Sequence, residues 1–485
     1  MDLSDVRCLA VLGLRRSGLP AALLARRRLP AARVVALDEG MAPEDAAAEL
    51  RAAGVEVLTG AEALLPEAAD LLVKSPGVPN ESAVVQQALS RGVVLWSEVE
   101  FAARYLPNRV IGITGTNGKT TTTELTGALF RDAGLPVAVG GNVGFALAGM
   151  PEAVPAEAVV VAELSSFQLE HIERFRPDVA VLLNLTEDHL DRHGDYRGYV
   201  DAKLRIFENQ VPGDVALLNA DDPGIAEEAA AGRIGGRGRR VWFSAVPGRH
   251  AGPCGEPLAA GVRCDGSLWL DLEGAGKAGG PAAAGPAVDL CAAGELALKG
   301  EHNLQNSLAA AAAACALGVP AGSAARTLRT FEGVPHRLQV AGRAGGVTYI
   351  NDSKATNVDA TLKALTAYTT RVHLILGGYD KGAEWDELVE ATEGHVTRAM
   401  LIGATALQLE AAFAARAAAV GPRATPAVVC GDLDTAVRLA ACDAQPGDVV
   451  LLSPACASWD QYRDYVERGE HFLRLVHDLT GTGTP

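Results

Sequence analysis

Short apolar runs alternate with stretches of helical periodicity along most of the chain. The N-terminal runs are too short for helices and end in glycine or polar residues, which predicts buried strands. Buried strands separated by helical segments are typical of a parallel sheet with helices on its faces. The strands predicted in this part are Val6–Leu12, Arg33–Leu37, Val55–Leu58, Asp70–Val73 and Val93–Leu95.

A later apolar run ends in the sequence Thr114-Gly-Thr-Asn-Gly-Lys-Thr120. A polyphosphate needs several converging backbone N–H groups, and Gly115 and Gly118 allow the chain to approach it closely. Lys119 can reach the β- and γ-phosphates, and Thr120 can offer its hydroxyl to Mg²⁺. The stretch therefore predicts a phosphate-binding loop and ATP as its ligand.

A helix is predicted over Thr121–Ala133, directly after this loop, with Gly134 ending it. Its N-terminus would direct a positive dipole end at the anion. Ile113 stands where the usual P-loop pattern has glycine, so the motif is a variant. The alternative interpretation is a Gly/Thr-rich turn between a strand and a helix.

Length and composition favour several independent cores. A chain of 485 residues, of which 48% are hydrophobic, corresponds to about three domains. We predict an α/β fold in which each domain is a mainly parallel sheet flanked by helices. The domains are a Rossmann-like one at 1–107, a central P-loop-type ATPase at 108–334 and a second Rossmann-like one at 335–485.

Charge and cysteine content exclude several function classes. The net charge is −16 and no long basic run occurs, so we expect no nucleic-acid partner. The 8 cysteines form no Cys-x-x-Cys pair, which favours reduced thiols. The N-terminus lacks a signal-peptide pattern and no strongly apolar stretch reaches about 18 residues. We expect a cytoplasmic protein without membrane insertion, and a monomer.

The first predicted domain has polar turns at the carboxyl ends of its strands. Ser17 follows the first strand, Asp38 ends the second, and Ser75 and Gly77 follow the fourth. Dinucleotide folds place a ribose contact at the position of Asp38, although the Gly-x-Gly-x-x-Gly pattern is absent. A nucleotide-binding edge is the favoured interpretation, and packing turns are the alternative.

The central domain brings further candidate residues to one sheet edge. Glu163 ends the predicted strand after the phosphate loop, and His189 follows the next strand, where it could be a metal ligand. Ser165 has capping-box spacing, so it could serve only to start a helix. Lys203 lies in the helical segment Tyr199–Asn209, and periodicity alone predicts a solvated lysine there.

Between about 229 and 290 the pattern changes to a Gly/Ala/Pro-rich insert. Two strands are predicted within it, Val241–Ala245 and Val262–Leu270, the second broken by a hairpin turn at Asp265-Gly266. This segment is expected to form a small sheet or a variable loop without a part in the chemistry.

In the last domain, polar loops follow three predicted strands. They are Asn351–Lys354, Gly377–Lys381 and Ser453–Ser458. Since carboxyl ends of parallel strands share one edge, a ligand-binding edge is expected there. The predicted strands are Val347–Ile350, Val372–Leu376, Ala399–Ile402, Ala427–Val428 and Val449–Leu452.

With these motifs placed, the chain resembles the ATP-dependent Mur ligases of peptidoglycan synthesis. The resemblance rests on motifs that occur in the family's order: Thr114–Thr120, Glu163–Glu170, Asn184–Asp191, Gly300–Asn303, Asn351–Asn357 and Ser453–Ser458. It implies an amide bond between a UDP-muramoyl carboxylate and the amine of D-glutamate, with ATP cleaved through an acyl phosphate. ATP is expected between the second and third domains.

The resemblance also implies roles for individual residues. Two Mg²⁺ ions would be held by Thr120, Glu163, His189 and a carbamylated Lys203, which reverses the solvated role predicted from periodicity. Catalytic residues would be Lys119, Glu163, His189, Lys203 and Arg337. ATP would contact Gly115, Thr116, Asn117, Gly118, Lys119, Thr120, Thr121, Asn303, Asn306, Arg337, Asp352 and Lys354. The UDP substrate and D-glutamate would contact Ser17, Asp38, Ser75, Gly77, Asn142, Ser165, Thr356, Lys381, Ser458 and Tyr465.

Two other functions remain open from the sequence. One is another amide ligase of the same superfamily, acting on a later muramoyl peptide or on folate. The other is a nucleotide-binding regulator that kept the fold and lost turnover. The first domain departs from the family pattern most, at Arg15, Arg16, Glu39 and Gly40, and the two arginines are expected partners of the UDP diphosphate.

Overall fold

The computed structural model describes residues 1–40, 42–142, 144–188, 190–271, 287–379 and 385–480. Contacts divide the chain into two compact units, Met1–Phe331 and Glu332–Pro485. The first unit contains a 5-stranded and a 9-stranded sheet, and the second a 6-stranded sheet. The predicted α/β fold with three helix-flanked sheets is confirmed.

The N-terminal sheet is parallel throughout and has the strand order β3-β2-β1-β4-β5. This is the strand order of a Rossmann-type half, in which ligands bind at the carboxyl ends of the strands. Its strands are β1 Cys8–Leu12, β2 Arg33–Asp38, β3 Glu56–Thr59, β4 Leu71–Lys74 and β5 Val94–Ser97. Its helices are α1 Gly18–Arg28, α2 Glu44–Ala52, α3 Ala83–Ser90 and α4 Glu98–Ala103.

The central sheet has the order β14-β13-β12-β11-β10-β9-β6-β8-β7. It is parallel from β7 to β12 and antiparallel at its last two pairs. Its strands are β6 Val110–Thr114, β7 Val137–Gly141, β8 Val159–Glu163, β9 Val179–Leu182, β10 Val215–Asn219, β11 Arg239–Phe243, β12 Leu258–Val262, β13 Ser267–Leu270 and β14 Val288–Ala292. Its helices are α5 Lys119–Asp132, α6 Met150–Ala153, α7 Ser166–Leu169, α8 Leu190–His193, α9 Tyr196–Leu204, α10 Pro223–Ala230, α11 Glu301–Ala316 and α12 Ala321–Thr330.

The position of β6 decides where the chemistry can occur. It lies between β8 and β9, with Ile113 beside Glu163 and Thr114 beside Leu182. The loop after β6, the end of β8 and the loop after β9 therefore share one edge of the sheet, as the alternation of strands and helices predicted.

The C-terminal unit has the strand order β15-β16-β20-β17-β18-β19, with β15 antiparallel to β16 and the other pairs parallel. Its strands are β15 Gln339–Ala344, β16 Val347–Asn351, β17 Val372–Gly377, β18 Val396–Ile402, β19 Ala427–Gly431 and β20 Val449–Leu452. Its helices are α13 Val358–Leu365, α14 Asp386–Ala391, α15 Ala406–Val420, α16 Leu433–Asp443 and α17 Tyr465–Thr480. In the described part of the chain, no helix has the length and apolar character needed to cross a bilayer.

Some strands differ from the sequence prediction. The hairpin turn predicted at Asp265-Gly266 is confirmed, since it joins the antiparallel strands β12 and β13, but β12 begins earlier than predicted, at Leu258. The prediction omits β7, β10, β14 and β15. Of these, β15 is an edge strand whose residues are half-buried or exposed, so it lacks an apolar run.

A buried carboxylate joins the first two sheets. Glu100, in α4, is fully buried, and its Oε2 accepts hydrogen bonds from the backbone N–H groups of Glu173, Arg174 and Phe175 at 2.8–2.9 Å. Its Oε1 accepts from Arg104 at 2.5 Å. Since a buried carboxylate needs such donors, this contact fixes the segment after α7 against the N-terminal domain.

We predict that Glu100→Gln lowers the free energy of unfolding of the first unit by about 1.5–3 kcal/mol, because charge-assisted bonds to backbone N–H groups weaken. Urea unfolding followed by fluorescence measures this. Glu44→Gln is the matched control, since the Glu44 side chain is 92% exposed. A change for Glu100→Gln as small as that for Glu44→Gln would contradict the assigned role.

Candidate active site

The loop between β6 and α5 contains glycine at two positions that other residues would not fit. The φ angle is +150° at Gly115 and +79° at Gly118. A Cβ at Gly118 would lie 2.4 Å from Oδ1 of Asn306, and one at Gly115 would lie 2.9 Å from Cβ of Leu183. Backbone conformation and space therefore both require glycine. The loop leads directly into the N-terminus of the 14-residue α5, where an anion is favoured.

Lys119 folds back over this loop. Its Nζ donates hydrogen bonds to the carbonyls of Gly115 at 2.9 Å and Thr116 at 2.7 Å. Thr120 is buried and Thr121 half-buried in the first turn of α5. A positive charge, a hydroxyl and a helix N-terminus are thus concentrated at the loop, which is the set of groups that a polyphosphate and its metal require.

Side chains from the neighbouring strand brace the loop. The N–H of Asn117 donates to Oδ1 of Asn184 at 2.7 Å, and Nδ2 of Asn184 donates to the carbonyl of Asn117 at 3.1 Å. Thr116 exchanges hydrogen bonds with Thr186, and its hydroxyl lies 2.9 Å from the hydroxyl of Tyr199. These hydrogen bonds within the protein therefore hold the loop conformation without a ligand.

Glu163 lies at the carboxyl end of β8, beside the loop. It is 2% exposed, and Oε1 accepts a hydrogen bond from Nδ2 of Asn142 at 3.0 Å. Its Oε2 is buried and has no hydrogen-bond partner among the described residues. A buried carboxylate oxygen without a donor suits a hard cation such as Mg²⁺.

His189, the other candidate metal ligand from the sequence, lies outside the described residues. Within the described ranges, no group of three or more His, Cys, Asp or Glu side chains could hold a metal ion. Within the described part of the chain, Glu163 thus has a buried carboxylate oxygen without a donor at the sheet edge that also holds the phosphate loop.

Lys203 is buried, which makes the solvated role predicted from periodicity wrong. It is 1% exposed, its Nζ donates to the carbonyl of Gly115 at 2.8 Å, and it lies 4.6 Å from the centre of the Tyr199 ring. Burial, and next the charge of Lys119, lower the pKa of Lys203 well below its usual value, against the opposing effects of Asp188 and Glu163. The neutral form of this amine is therefore more accessible than in an exposed lysine.

A pocket of about 390 Å³ lies at the carboxyl edge of the N-terminal sheet. Both sheets of the first unit contribute to its wall. Among the site residues predicted from sequence, it brings together Ser17, Asp38, Ser75, Gly77 and Asn142.

Hydrogen bonds order the pocket wall. Oδ2 of Asp38 accepts from the N–H of Leu14 at 2.9 Å and Oδ1 from that of Gly40 at 3.0 Å. Ser17 donates to Oγ of Ser75 at 3.1 Å, and Ser75 donates to the carbonyl of Gly13 at 2.8 Å. Asp38 thus fixes two loops at once and retains lone pairs for a further donor.

Ser165 caps α7, as its spacing predicted. Its hydroxyl accepts from the N–H of Gln168 at 3.3 Å, and the Gln168 side chain accepts from the N–H of Ser165 at 3.0 Å. Ser165 itself is not in the pocket wall, but Gln168 is. Arg15 and Arg16 also line the pocket, and Arg16 donates to the carbonyl of Gly144 at 2.8 Å.

The N-terminal turn of α11 packs against the phosphate loop. Oδ1 of Asn306 accepts from the hydroxyl of Thr122 at 3.2 Å, and its Nδ2 donates to Oδ1 of Asn303 at 3.3 Å. Asn306 is buried and Asn303 half-buried. The predicted adenine contacts stay predictions, while the geometry gives Asn306 a role in supporting Gly118.

In the C-terminal unit, Asp352 lies directly after β16 and joins the segment before β15 to the loop after β20. Its Oδ1 accepts from the N–H of Leu338 at 3.1 Å, and its Oδ2 from the hydroxyl of Ser453 at 2.8 Å. Burial raises the pKa of Asp352 to about 6, against the lowering effects of these hydrogen bonds and of Arg337. The carboxyl group organises the edge where the sequence predicted ligand contacts.

Arg337 is exposed between two residues in the left-handed region. The φ angles of its neighbours are +62° at His336 and +44° at Leu338, a conformation that non-glycine residues rarely adopt. Oε1 of Gln339 accepts from the N–H of His336 at 2.9 Å and supports this backbone. A strained conformation held by buried partners is typical of a functional loop.

The loop after β20 contains a buried hydroxyl. Ser458 is 2% exposed, and its Oγ has no hydrogen-bond partner among the described residues. Thr356 and Tyr465 are half-buried, and the ammonium of Lys354 lies 5.9 Å from the centre of the Tyr465 ring. Lys381, the remaining predicted glutamate contact, lies outside the described residues.

Sequence reasoning missed two supporting residues. Tyr199 lies one helical turn before Lys203 on α9, and that spacing could have indicated a shared face. Arg468 is 1% exposed and donates to the carbonyls of Ser353 at 2.9 Å and Cys456 at 3.1 Å. No local pattern signals such a buried arginine, because its acceptors come from two distant loops.

Two family models match the chain. Residues 113–235 match the Mur ligase middle domain, and residues 336–456 match the Mur ligase glutamate ligase domain. The chain is also similar to proteins named UDP-N-acetylmuramoylalanine–D-glutamate ligase. The relative from Pelotomaculum thermopropionicum is 41% identical over 97% of both chains, that from Solibacter usitatus 41% over 99% of both, and that from Salinibacter ruber 42% over 97% of both.

Among solved structures, a murein peptide ligase from Psychrobacter arcticus aligns with a TM-score of 0.50 at 18% identity. The alignment covers 99% of this chain and 100% of that one. At this identity the likeness concerns the fold.

We predict that Gly118→Ala weakens nucleotide binding at least tenfold, because a Cβ there meets Asn306 in addition to straining the backbone by about 1–2 kcal/mol. Gly134→Ala is the matched control, since its φ is +71° and nothing lies within 4 Å of its added Cβ. Isothermal titration with Mg-ADP measures the affinities. Equal losses in the two variants would mean that only backbone strain, and not the packing under the loop, matters.

Proposed function

The chain belongs to the Mur ligase family, and from that premise we propose that it joins UDP-N-acetylmuramoyl-L-alanine to D-glutamate through an amide bond. ATP is cleaved to ADP and phosphate, with an acyl phosphate as the intermediate. The enzyme acts as a cytoplasmic monomer in peptidoglycan precursor synthesis. Residues 1–107 bind the UDP substrate, 108–334 bind ATP and 335–485 bind D-glutamate.

One observation carries the proposal most directly. Asn142 lines the pocket and also donates a hydrogen bond to Glu163, at 3.0 Å. Glu163 in turn lies beside Ile113 in the strand that leads into the phosphate loop. A substrate held in the pocket therefore has its far end next to the site of the γ-phosphate, as phosphorylation of its carboxylate requires.

The proposed chemistry requires fixed cations beside the reacting groups. A carboxylate is a poor electrophile, so one of its oxygens first attacks the γ-phosphorus and ADP leaves. The amine of D-glutamate then attacks the acyl carbon, gives up a proton and expels phosphate. Both steps build negative charge on phosphoryl oxygens, which fixed cations stabilise. Lys119 and Arg337 are the residues of this chain that supply them.

The residues present fit a magnesium site. Thr120 and the unpaired Oε2 of Glu163 would hold one Mg²⁺, and Glu163, His189 and a carbamate on Lys203 would hold the second. Mg²⁺ neutralises phosphate oxygens and fixes their orientation. The carbamate would form when the neutral Lys203 amine adds to CO₂ and loses a proton, which converts an amine into an anionic oxygen donor.

In the C-terminal unit we assign the glutamate carboxylates to Thr356, Lys381, Ser458 and Tyr465. The Ser458 hydroxyl supports this assignment: it is buried and has no partner in the part of the chain that the structure describes, and a carboxylate would supply an acceptor. Asp352 is assigned to the ribose of ATP and Lys354 to its γ-phosphate. Ser17, Asp38, Ser75, Gly77, Asn142 and Ser165 are assigned to the UDP substrate.

We predict phosphate release with D-glutamate and at least a hundredfold slower release with L-glutamate. The mirror-image amino acid cannot place two carboxylates and one amine together, and each lost charge-assisted contact costs about 1.5–3 kcal/mol. The assay combines UDP-N-acetylmuramoyl-L-alanine, ATP and each enantiomer. Comparable rates would refute the substrate assignment, and no release with either would favour a regulator that lost turnover.

We predict that Lys203→Ala abolishes turnover without unfolding the protein, and that a small carboxylic acid at high concentration restores part of the rate. Lys203→Arg stays inactive, because a guanidinium keeps its charge and forms no carbamate. Lys74→Ala is the matched control, because Lys74 is also 1% exposed. Any activity that this variant loses should not be restored by the acid. Near-normal activity of Lys203→Arg would exclude the carbamate. It would also be excluded if the electron density and the intact mass of the active enzyme show an unmodified lysine.

A further inference from the structure

We propose that His193 is a positioning residue that couples the UDP pocket to the phosphate loop, so that each ligand raises the affinity for the other. The inference rests on the proposed function for the identity of the two ligands. It concerns side chains of the first unit that the catalytic scheme does not use.

Both nitrogens of the His193 ring have a partner. Nδ1 lies 3.3 Å from Oε1 of Glu170, and Nε2 lies 2.9 Å from the hydroxyl of Ser166. With the Nδ1–H directed at the carboxylate, Nε2 accepts the Ser166 proton. The side chain is 4% exposed, so these bonds fix the ring orientation.

Two aromatic rings contact His193 from different sides. The Phe167 ring is stacked on it, with centroids 5.1 Å apart and an interplanar angle of 6°. The Tyr199 ring meets it edge-on, at 5.5 Å and 66°. A ring that is hydrogen-bonded at both nitrogens and packed in this way transmits a displacement of either neighbour to the other, because dense packing leaves no room for independent adjustment.

Phe167, His193 and Tyr199 together form a stack of rings. The Phe167 side of this stack is connected to the UDP pocket. The guanidinium of Arg192 lies 4.1 Å from the centre of the Phe167 ring. Its Nη2 donates to the carbonyls of Pro76 at 3.3 Å and Val78 at 3.2 Å, and both residues line the pocket. A ligand that shifts the loop after β4 therefore acts on Arg192 and, through it, on the stack.

A second route reaches the same histidine through Glu170. Its Oε2 lies 3.7 Å from the ammonium of Lys74 and accepts from Nδ2 of Asn80 at 3.2 Å. Lys74 also donates to the carbonyl of Val78 at 2.9 Å. The loop after β4 is thus connected to the ring face of His193 through Arg192 and Phe167. It is also connected to Nδ1 of His193 through Lys74 and Glu170.

The Tyr199 side leads to the phosphate loop. The Tyr199 hydroxyl lies 2.9 Å from that of Thr116, and the Lys203 ammonium lies 4.6 Å from the centre of the Tyr199 ring. The orientation of Tyr199 consequently affects the backbone that would cradle the phosphates and the buried lysine beside it.

The contact of Ser166 with His193 and Glu170 has the pattern of an activated nucleophile. Ser166 is 2% exposed, however, so a substrate carbonyl has no access to its hydroxyl. The arrangement suits positioning: the first ligand to bind shifts the packed rings, and that shift favours the arrangement to which the second ligand binds.

The test measures the affinity for AMP-PNP with Mg²⁺ by isothermal titration, with and without saturating UDP-N-acetylmuramoyl-L-alanine. The unaltered protein should show a coupling factor in the range of about 5–150. In His193→Leu the factor should fall below about two, while the affinity for AMP-PNP alone changes less than threefold. His250→Leu, at an exposed histidine, should keep the full coupling.

Arg192→Met provides a second variant that leaves the buried histidine in place. It should also reduce the coupling, because the bonds to the pocket loop are lost, whereas Arg174→Met, at a side chain 66% exposed, should not. A coupling factor of one in the unaltered protein, or unchanged coupling in Arg192→Met and in a folded His193→Leu, would overturn the inference. With normal D-glutamate-dependent phosphate release, such a result would leave the proposed function intact, while absence of that release would refute the proposed function itself.

Discussion

The carbonyl oxygen of Gly115 accepts hydrogen bonds from two lysine side chains, Lys119 at 2.9 Å and Lys203 at 2.8 Å. Two ammonium groups on one carbonyl repel each other, and burial adds to the cost for Lys203. Burial and the charge of Lys119 therefore both lower the pKa of Lys203. The two like groups thus have different environments, which is how different acid–base properties arise in one site.

Buried carboxylates in this chain fall into two groups according to their partners. Glu100 and Asp352 receive donors on both oxygens and hold backbone segments together. Glu163 and Glu98 each have a donor on one oxygen only, and the other oxygen is buried without one among the described residues. Since an unpaired buried oxygen costs free energy, only the second kind of carboxylate gains strongly from a ligand. The same argument separates the unpaired hydroxyl of Ser458 from that of Ser453, which donates to Asp352.

The fold and the phosphate loop could be predicted from the sequence because both depend on local signals. Apolar runs predict buried strands, and Gly115, Gly118 and Lys119 predict the loop. Features that depend on distant partners could not be predicted in this way. Periodicity places Lys203 on a helix but cannot show that Tyr199 and Gly115 bury it, and the edge strand β15 lacks an apolar run. The resemblance to a family supplied the role of Lys203 where the pattern predicted a solvated side chain.

The contact between the first two sheets gives the site a further property. Besides the bonds of Glu100, the N–H of Ser97 donates to the carbonyl of His171 at 2.9 Å, and the indole N–H of Trp96 donates to Glu173 at 2.8 Å. These bonds fix the distance from the pocket at the first sheet to the phosphate loop within one packed unit. The free energy gained by binding the nucleotide end of a substrate can then be used to hold its reactive end in place. The substrate carboxylate must approach the phosphoryl group in line. Because the distance is fixed, the reacting groups lose less orientational entropy on reaching the transition state than they would in a free encounter.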